Sequence, residues 1–291
     1  MTICVAIRVN DGIVFAADSA TSITVAREDG TTDIVNVYLH GNKIFNLYKG
    51  LPIVAMTCGM GSFGSEAIGS LAKEFRFHLK SGMYKDRFDP KSYTISDLVN
   101  LADEYFLKTK FQSLSPIPKG DFEFWIAGYD SGLEHNYSLW KLRISNGDCL
   151  PPHLESGPGE CGIDVGGAPD PLYRLILGYT PAVLDGIYDV LTTQEGKEHD
   201  AAVDLIHRFV PAIRERTEAT LTIPAMPLQT AIGLADFLVD TTKRYYKFLP
   251  GADIVGGDTD IAVVTRYEGF KWIQRKHFYP SDLNPMESGH A

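Results

Sequence analysis

The sequence Met1-Thr-Ile-Cys-Val-Ala-Ile-Arg-Val-Asn-Asp-Gly-Ile-Val-Phe-Ala-Ala-Asp18 decides the expected fold of this chain. Two apolar runs, residues 3–9 and 13–17, flank an Asn-Asp-Gly tripeptide at 10–12. These three residue types tolerate the positive φ angles of a tight turn, so the spacing predicts a β-hairpin. Folding about that turn brings Asp18 close to the start of the chain.

Two registers of this hairpin are compatible with the sequence. If Asn10 and Asp11 form the loop, Thr2 faces Ser19. If Asp11 and Gly12 form the loop instead, Thr2 faces Thr21. In both registers a threonine hydroxyl and the Asp18 carboxylate meet at one strand end.

Thr2 has chemistry of its own once Met1 is removed. A small second residue permits that removal, and we expect the mature chain to begin at Thr2. The freed α-amino group has a pKa of about 7.7–8.0 in peptides and can act as the base for its own hydroxyl. Such a residue is an N-terminal threonine nucleophile. The alternative is that Thr2 is an ordinary edge-strand residue.

Composition excludes several classes of partner and cofactor. The net charge of −10 argues against nucleic acid and against an anionic membrane surface. No stretch has the length of a membrane span and the N-terminus lacks a signal-peptide pattern, so we expect a cytoplasmic protein. The four cysteines read as reduced thiols, because they form no CxxC pair. No HExxH motif or close histidine pair is present, and we expect neither a metal nor a cofactor.

Apolar periodicity along the chain predicts strands, two helices, strands, helices and strands. Antiparallel hairpins with grouped helices favour an α+β fold in which two antiparallel sheets pack face to face with helices outside, a four-layer αββα sandwich. A second hairpin is predicted between strands at 33–39 and 43–47. Helices are expected near residues 65–80, 96–111, 170–177, 182–191, 200–216 and 228–248. The helix at 200–216 is expected to turn five apolar residues inward: Val203, Ile206, Phe209, Val210 and Ile213.

Several segments, taken in order, resemble the mature proteasome β-subunit. They are Thr2-Ile-Cys-Val-Ala-Ile, the run from Asp11 to Ser19, Lys43-Ile-Phe, Met56-Thr-Cys-Gly-Met-Gly61, Ala127-Gly-Tyr-Asp130, and Gly256-Gly257 with the two strands that follow. The likeness covers most of residues 2–273 and is closest in style to bacterial proteasome homologues of the Anbu type. It implies the fold of the N-terminal nucleophile hydrolases.

The resemblance implies a catalytic role for five residues. Thr2 would be the nucleophile, and Lys43 would keep its amine neutral by like-charge repulsion. Asp18 would hold Lys43 by a charge-assisted hydrogen bond. The backbone N–H of Gly59 would form the oxyanion hole. Ser145 stands where a serine-containing turn is expected.

Four further residues match the family's specificity pocket: Thr21, Phe45, Thr57 and Gly61. None of them is an acid or a base. The resemblance therefore favours an apolar or small residue before the scissile bond.

The chain departs from the family pattern in two places. The Asp and Ser that usually precede the Gly-Gly pair are replaced by Ala252 and Val255, which leaves Asp253 or Asp258 as a substitute. The segment at about 180–226 is longer than the proteasomal link and adds a helix. We therefore expect one hydrolase domain over 1–278 with an insertion at about 180–226, and a loose polar tail over 279–291.

The leading hypothesis is a threonine-type, peptidase-like hydrolase that cleaves peptide amide bonds in a self-assembled ring or ring-like homo-oligomer. Its substrate would be a peptide or an unfolded protein. The oligomer is expected because aromatic residues occupy more than one side of the helices at 65–80 and 96–111. Two alternatives stay open: a non-peptide amidase of the same superfamily, and a non-catalytic scaffold that retains Met1.

Overall fold

The computed structural model describes residues 2–26, 32–132, 137–251 and 254–276. Met1, Ala252, Asp253 and the polar tail expected at 279–291 lie outside these residues. Two five-stranded antiparallel sheets carry most of the strands, in the orders β12-β1-β2-β13-β14 and β11-β10-β9-β6-β5.

The first sheet comprises β1 (Ile3–Val9), β2 (Gly12–Ala17), β12 (Gly162–Gly167), β13 (Asp260–Thr265) and β14 (Gly269–Gln274). The second comprises β5 (Ile44–Phe45), β6 (Ile53–Gly59), β9 (Phe122–Tyr129), β10 (Tyr137–Ser145) and β11 (Asp148–Ser156). Two small ladders pair β3 (Thr21–Ala26) with β4 (Thr32–Tyr38), and β7 (Ser62–Phe63) with β8 (Glu66–Ala67).

The opening hairpin adopts the first of the two predicted registers. Val9 pairs with Gly12 and Cys4 pairs with Ala17, so Asn10 and Asp11 form the loop. The Asp18 N–H donates to the Ile3 carbonyl at 3.3 Å, which continues the pairing toward the chain start. Thr2 and Asp18 therefore meet at one end of the first sheet.

The described residues contain six α-helices: α1 (Ile68–Lys80), α2 (Ile95–Ala102), α3 (Asp170–Ile176), α4 (Pro181–Asp189), α5 (His199–Thr217) and α6 (Leu228–Lys247). Helix α2 continues as a π-helix over Asp103–Phe111, and α4 as one over Val190–Gln194. The N-cap of α2 is Thr94, which forms a capping box with Asp97. No helix among these residues has the length and apolarity needed to cross a membrane.

Three apolar clusters form the core, and β1 shows how they divide. Alternate residues Ile3, Val5 and Ile7 pack in a cluster with α3 and α6. Cys4 and Ala6 point the other way and join a cluster that draws residues from both large sheets. The third cluster joins α1 and α2 to the second sheet. Because both faces of β1 are buried, this strand is apolar along nearly its whole length.

The predicted second hairpin is wrong. Strand β4 pairs back with β3, and β5 pairs with β6 instead. An alternating pattern identifies a strand but does not identify its partner. Residues 148–167 form two strands, β11 and β12, which belong to different sheets.

The inward face predicted for α5 is also wrong. Phe209 is 49% exposed, and Ala202 is the buried residue of this helix. Val203, Ile206, Val210 and Ile213 are half-buried. Apolar spacing shows which side of a helix avoids water, but not whether the same chain covers that side.

The aromatic side chains of the first helical layer are more deeply buried than predicted. Phe75, Tyr105, Phe106 and Phe111 lie in the core, and Phe77 alone of the five is exposed, at 67%. These rings pack against one another in the core; the ring centroids of Phe75 and Phe106, for example, are 5.6 Å apart.

Candidate active site

Thr2 is fixed at the edge of the first sheet by its backbone. The Ala168 N–H, just beyond β12, donates to the Thr2 carbonyl at 2.7 Å, and the next N–H, of Ile3, donates to Asp18 Oδ1 at 3.0 Å. Thr2 is 5% exposed and lines a cleft of about 510 Å³. Glycine at 167 allows the end of β12 to lie this close to the Thr2 backbone, because a Cβ there would collide with the Thr2 carbonyl oxygen.

Asp18 is fully buried beneath this end of the cleft, and four donors converge on its carboxylate. Oδ1 accepts from Lys43 Nζ at 2.6 Å as well as from Ile3. Oδ2 accepts from the N–H groups of Ala20 and Gly256, at 3.1 and 2.9 Å. This set of donors satisfies an ionised carboxylate out of contact with water.

Lys43 lies between Asp18 and the cleft. It precedes β5, and its carbonyl accepts from the Thr57 N–H at 2.9 Å, which ties its backbone to β6. The residue is 5% exposed and lines the same cleft as Thr2. The ammonium therefore has one fixed anionic partner behind it and the cleft in front.

Gly59 ends β6 at the cleft with φ = 88°. A side chain here would collide with the Asp121 carbonyl, and that carbonyl accepts the N–H of Met60 at 2.9 Å. Only glycine suits both the conformation and the close approach. The turn brings backbone from Cys58 to Gly61 to the cleft wall.

The structure brings six of the nine predicted site residues to this cleft. They are Thr2, Thr21, Lys43, Thr57, Gly59 and Gly61, with Asp18 directly behind Lys43. The cleft is completed by residues that the sequence did not indicate, among them Tyr38, His40, Asn42, Met60, Ser70 and Lys73. They come from β4, the loop after it, the end of β6 and helix α1, which are distant in sequence.

Besides Asp18, two predicted residues are not among those that line the cleft. Phe45 is 8% exposed and packs on the helical side of the second sheet, where its ring stacks on Phe124 at 6.1 Å. Ser145 ends β10 and lines a neighbouring pocket of about 360 Å³. The two pockets share Cys58 and Gly59 as lining residues.

The segment around Gly256 contributes to the site through backbone groups that surround Asp18 and Ser19. Val255 is buried in the core, and Asp258 is exposed. The Asp258 carbonyl accepts from Ser19 Oγ at 2.6 Å, and the Gly256 carbonyl accepts from the Ser19 N–H at 3.0 Å. These bonds hold Gly256 where its own N–H reaches Asp18.

A second buried ion pair adjoins this segment and was not predicted. Lys276, which follows β14, pairs with Asp260, the first residue of β13. Its Nζ also donates to Ser19 Oγ at 2.7 Å. The Lys276 N–H donates to Asp260 Oδ1 at 3.0 Å. No short-range pattern signals this pair, because Asp260 and Lys276 lie sixteen residues apart on either side of a hairpin.

Cys58 is the thiol that lines the cleft. A hydrogen bond with the Cys4 thiol, together with burial and the nearby Glu123 carboxylate, raises the pKa of Cys58 well above its ordinary value. A protonated thiol is a poor nucleophile. Within the described ranges, no group of three histidine, cysteine or acidic side chains is placed to hold a metal ion.

Comparison with known proteins supports the fold. No protein-family model matches the sequence, and no curated protein is similar to it at a significant level. Among solved structures, the chain is similar to the helical assembly of the Anbu complex from Pseudomonas aeruginosa, with a TM-score of 0.51 and 15% identity. The match covers 97% of this chain and 90% of that one. The chain therefore has a mixed α/β, proteasome-like fold with antiparallel sheets.

Proposed function

We propose that this protein is an N-terminal threonine hydrolase that cleaves peptide amide bonds. The observation that carries the proposal is the buried Lys43 ammonium, held 2.6 Å from Asp18 at the cleft that Thr2 also lines. A buried charge is costly to maintain, and a lysine presented to a cleft beside a hydroxyl is arranged for catalysis.

In the proposed reaction, the Thr2 amine takes the proton of Thr2 Oγ as the oxygen attacks the substrate carbonyl. The tetrahedral oxyanion is stabilised by the Gly59 N–H and by the positive charge of Lys43. Collapse breaks the C–N bond, and the leaving amine receives the proton from the Thr2 ammonium. Water then attacks the Thr2 ester with the same amine as base, which releases the acid and restores the hydroxyl.

We propose the four-layer αββα arrangement for the fold. The cluster that draws residues from both large sheets supports stacked sheets, and the two other clusters support one helical layer on each outer face. We also propose a cytoplasmic, single-domain protein in which residues 180–226 are an insertion. That segment contains α4 and α5.

The protein is proposed to act as a homo-oligomer on peptide or unfolded protein substrates. Helix α5 buries Ala202, but Phe209 is exposed and most of the other apolar residues of this helix are only half-buried. Phe77 on α1 is exposed as well. Such faces favour contacts with further copies of the chain. The Anbu structure is a helical assembly, which agrees with this expectation.

Peptide hydrolysis by the purified full chain tests the proposed reaction. Thr2→Ala is expected to abolish cleavage of a fluorogenic peptide, while Thr2→Ser retains part of it. Ser70→Ala removes another cleft hydroxyl and serves as the matched control, with at most a small effect. Equal rates for the parent and Thr2→Ala would contradict the proposal. Cleavage of simple amides but not of peptides would favour the non-peptide amidase instead.

A further inference from the structure

The charge of the cleft is opposite in sign to that of the whole protein. The chain has a net charge of −10, yet the described residues that line the cleft include His40, Lys43 and Lys73 and, among these described residues, no aspartate or glutamate. Lys43 is paired with Asp18, and the proposed reaction uses its charge at the oxyanion. The lysine ammonium that remains to meet another anionic group in the cleft is that of Lys73.

Lys73 is presented to the cleft by the first two turns of α1. Gly69, Ser70 and Lys73 lie on one side of this helix and all line the cleft. The start of α1 adds a weaker field of the same sign, since its first turn holds no acidic residue and Ala67 offers no side-chain cap. This field adds to the charge of Lys73 and does not define a site alone.

The carboxylates nearest in sequence to Lys73 are committed elsewhere. Glu74 and Glu66 both bind Lys110, each at 3.2 Å. In the part of the chain that the structure describes, Lys73 has no carboxylate partner. Its ammonium is therefore available to an anionic group that enters the cleft.

We infer that this cleft selects substrates with an acidic side chain immediately before the scissile bond, and that Lys73 determines this selectivity. The inference rests on the proposed function, since it assigns the substrate class of the same site. Thr21, Thr57 and Gly61, which the sequence resemblance assigns to the pocket for that residue, line the cleft with Lys73. Met60 and Ile68 offer apolar contact to the methylene groups of such a side chain. The inference replaces the apolar or small preference that the sequence favoured.

Binding and cleavage are measured separately, so that failure of the inference and failure of the proposed function can be distinguished. Binding uses the full-length Thr2→Ala variant and fluorescein-labelled peptides that differ only in Glu, Gln or Lys at the selected position. Fluorescence anisotropy should show the Glu peptide binding about fivefold more tightly than the Gln peptide, the scale of one exposed ion pair, with the Lys peptide weakest. High salt should reduce the difference.

Substitution of Lys73 in the same background tests its role. Lys73→Met should bring the Glu and Gln peptides to within about twofold, and Lys73→Glu should favour the Lys peptide. Lys80→Met is the matched control, because Lys80 is on the same helix but lies over the Tyr48 ring and not in the cleft. Its expected effect on selectivity is nil.

Each outcome decides one question. Equal affinity for the Glu and Gln peptides, a preference that survives Lys73→Met, or no binding of any peptide would overturn the inference. Cleavage of all three peptides at equal rates by the parent protein would also overturn it while leaving the proposed function intact. Selective binding without any cleavage by the parent would overturn the proposed function and support the inference.

Discussion

Two buried lysine–aspartate pairs lie side by side in this protein, and they differ in what surrounds them. Lys43 and Asp18 are 5% and 0% exposed, and Lys276 and Asp260 are 8% and 3% exposed. Both pairs meet the same short segment, because Asp18 is followed by Ser19, which accepts from Lys276. Lys43 lines the cleft, whereas Asp260 and Lys276 are not among the cleft residues.

This difference indicates why each pair is present. Burying two charges costs about as much as their attraction returns, so a buried pair is weak evidence of a stabilising role. Lys43 and Thr2 line the same cleft, where the proposed reaction uses the positive charge of Lys43. The Lys276 pair ties the end of β14 to the start of β13 and to Ser19, which is useful for holding strands together.

Lys43→Met should have the largest effect, because in the proposed mechanism this lysine favours the neutral amine and stabilises the oxyanion. We expect kcat/KM for peptide hydrolysis to fall by about 10²–10³-fold, and the acid limb of its pH profile to move to higher pH. Stability should also fall by about 3–5 kcal/mol, because the buried Asp18 carboxylate loses its charged partner. Steady-state kinetics at several pH values and urea unfolding measure the two effects.

The double variant Asp18→Asn/Lys43→Met separates these effects. It leaves no unpaired buried charge, so much of the stability should return while the activity stays low. Recovery of activity together with stability would mean that Lys43 has a structural role only.

Lys276→Met should reduce the free energy of unfolding by about 3–5 kcal/mol, because the buried Asp260 carboxylate loses its charged partner. The kcat of the folded protein should stay within about threefold of the parent, with an unchanged pH profile, because this lysine is outside the cleft. Urea unfolding and kinetics on the same preparation check both statements. A shifted pH profile would show that the second pair acts on the reaction.

The sequence predicted the part of the site that local patterns encode. The Asn-Asp-Gly turn limits the opening hairpin to two registers, and the structure adopts the one in which Asn10 and Asp11 form the loop. Lys43 was identified through the resemblance and not through its contacts. Asp260–Lys276 was missed because each residue alone resembles an ordinary strand-end charge, and only the β13–β14 hairpin brings them together.

Local patterns are limited in the same way for helices: they do not show which tertiary contacts a helix face makes. Apolar spacing in α1 places Leu71, Ala72 and Phe75 on one face of the helix, and all three are buried. The same reasoning assigned Lys73 no role, since a charged residue off the apolar stripe is usually solvated. Its position at the cleft depends on where α1 packs against the strands, and periodicity carries no information about that.

Ser19→Ala tests whether the two pairs are coupled through the hydroxyl between them. The change removes the bond to the Asp258 carbonyl and the acceptor for Lys276, and we expect a loss of about 1–3 kcal/mol of stability. A double-mutant cycle with Lys276→Met should show a non-additive term. Strict additivity in urea unfolding would show that Ser19 and Lys276 act independently.

Asp258→Asn should have the smallest effect. The Asp258 side chain is exposed, and its backbone carbonyl serves Ser19, so stability should change by less than about 0.5 kcal/mol. Peptide hydrolysis should remain close to that of the parent. A loss of activity greater than tenfold would instead assign the Asp258 carboxylate to the catalytic network.

The most direct test of the central claim is the intact mass of the native protein before and after reaction with a hydroxyl-directed peptide electrophile, followed by peptide mapping. The proposed mechanism predicts a chain that begins at Thr2 and carries one adduct, located on Thr2. Quantitative retention of Met1 in the native protein would contradict the mechanism, because the Thr2 nitrogen would then lie in a peptide bond and could not act as the base.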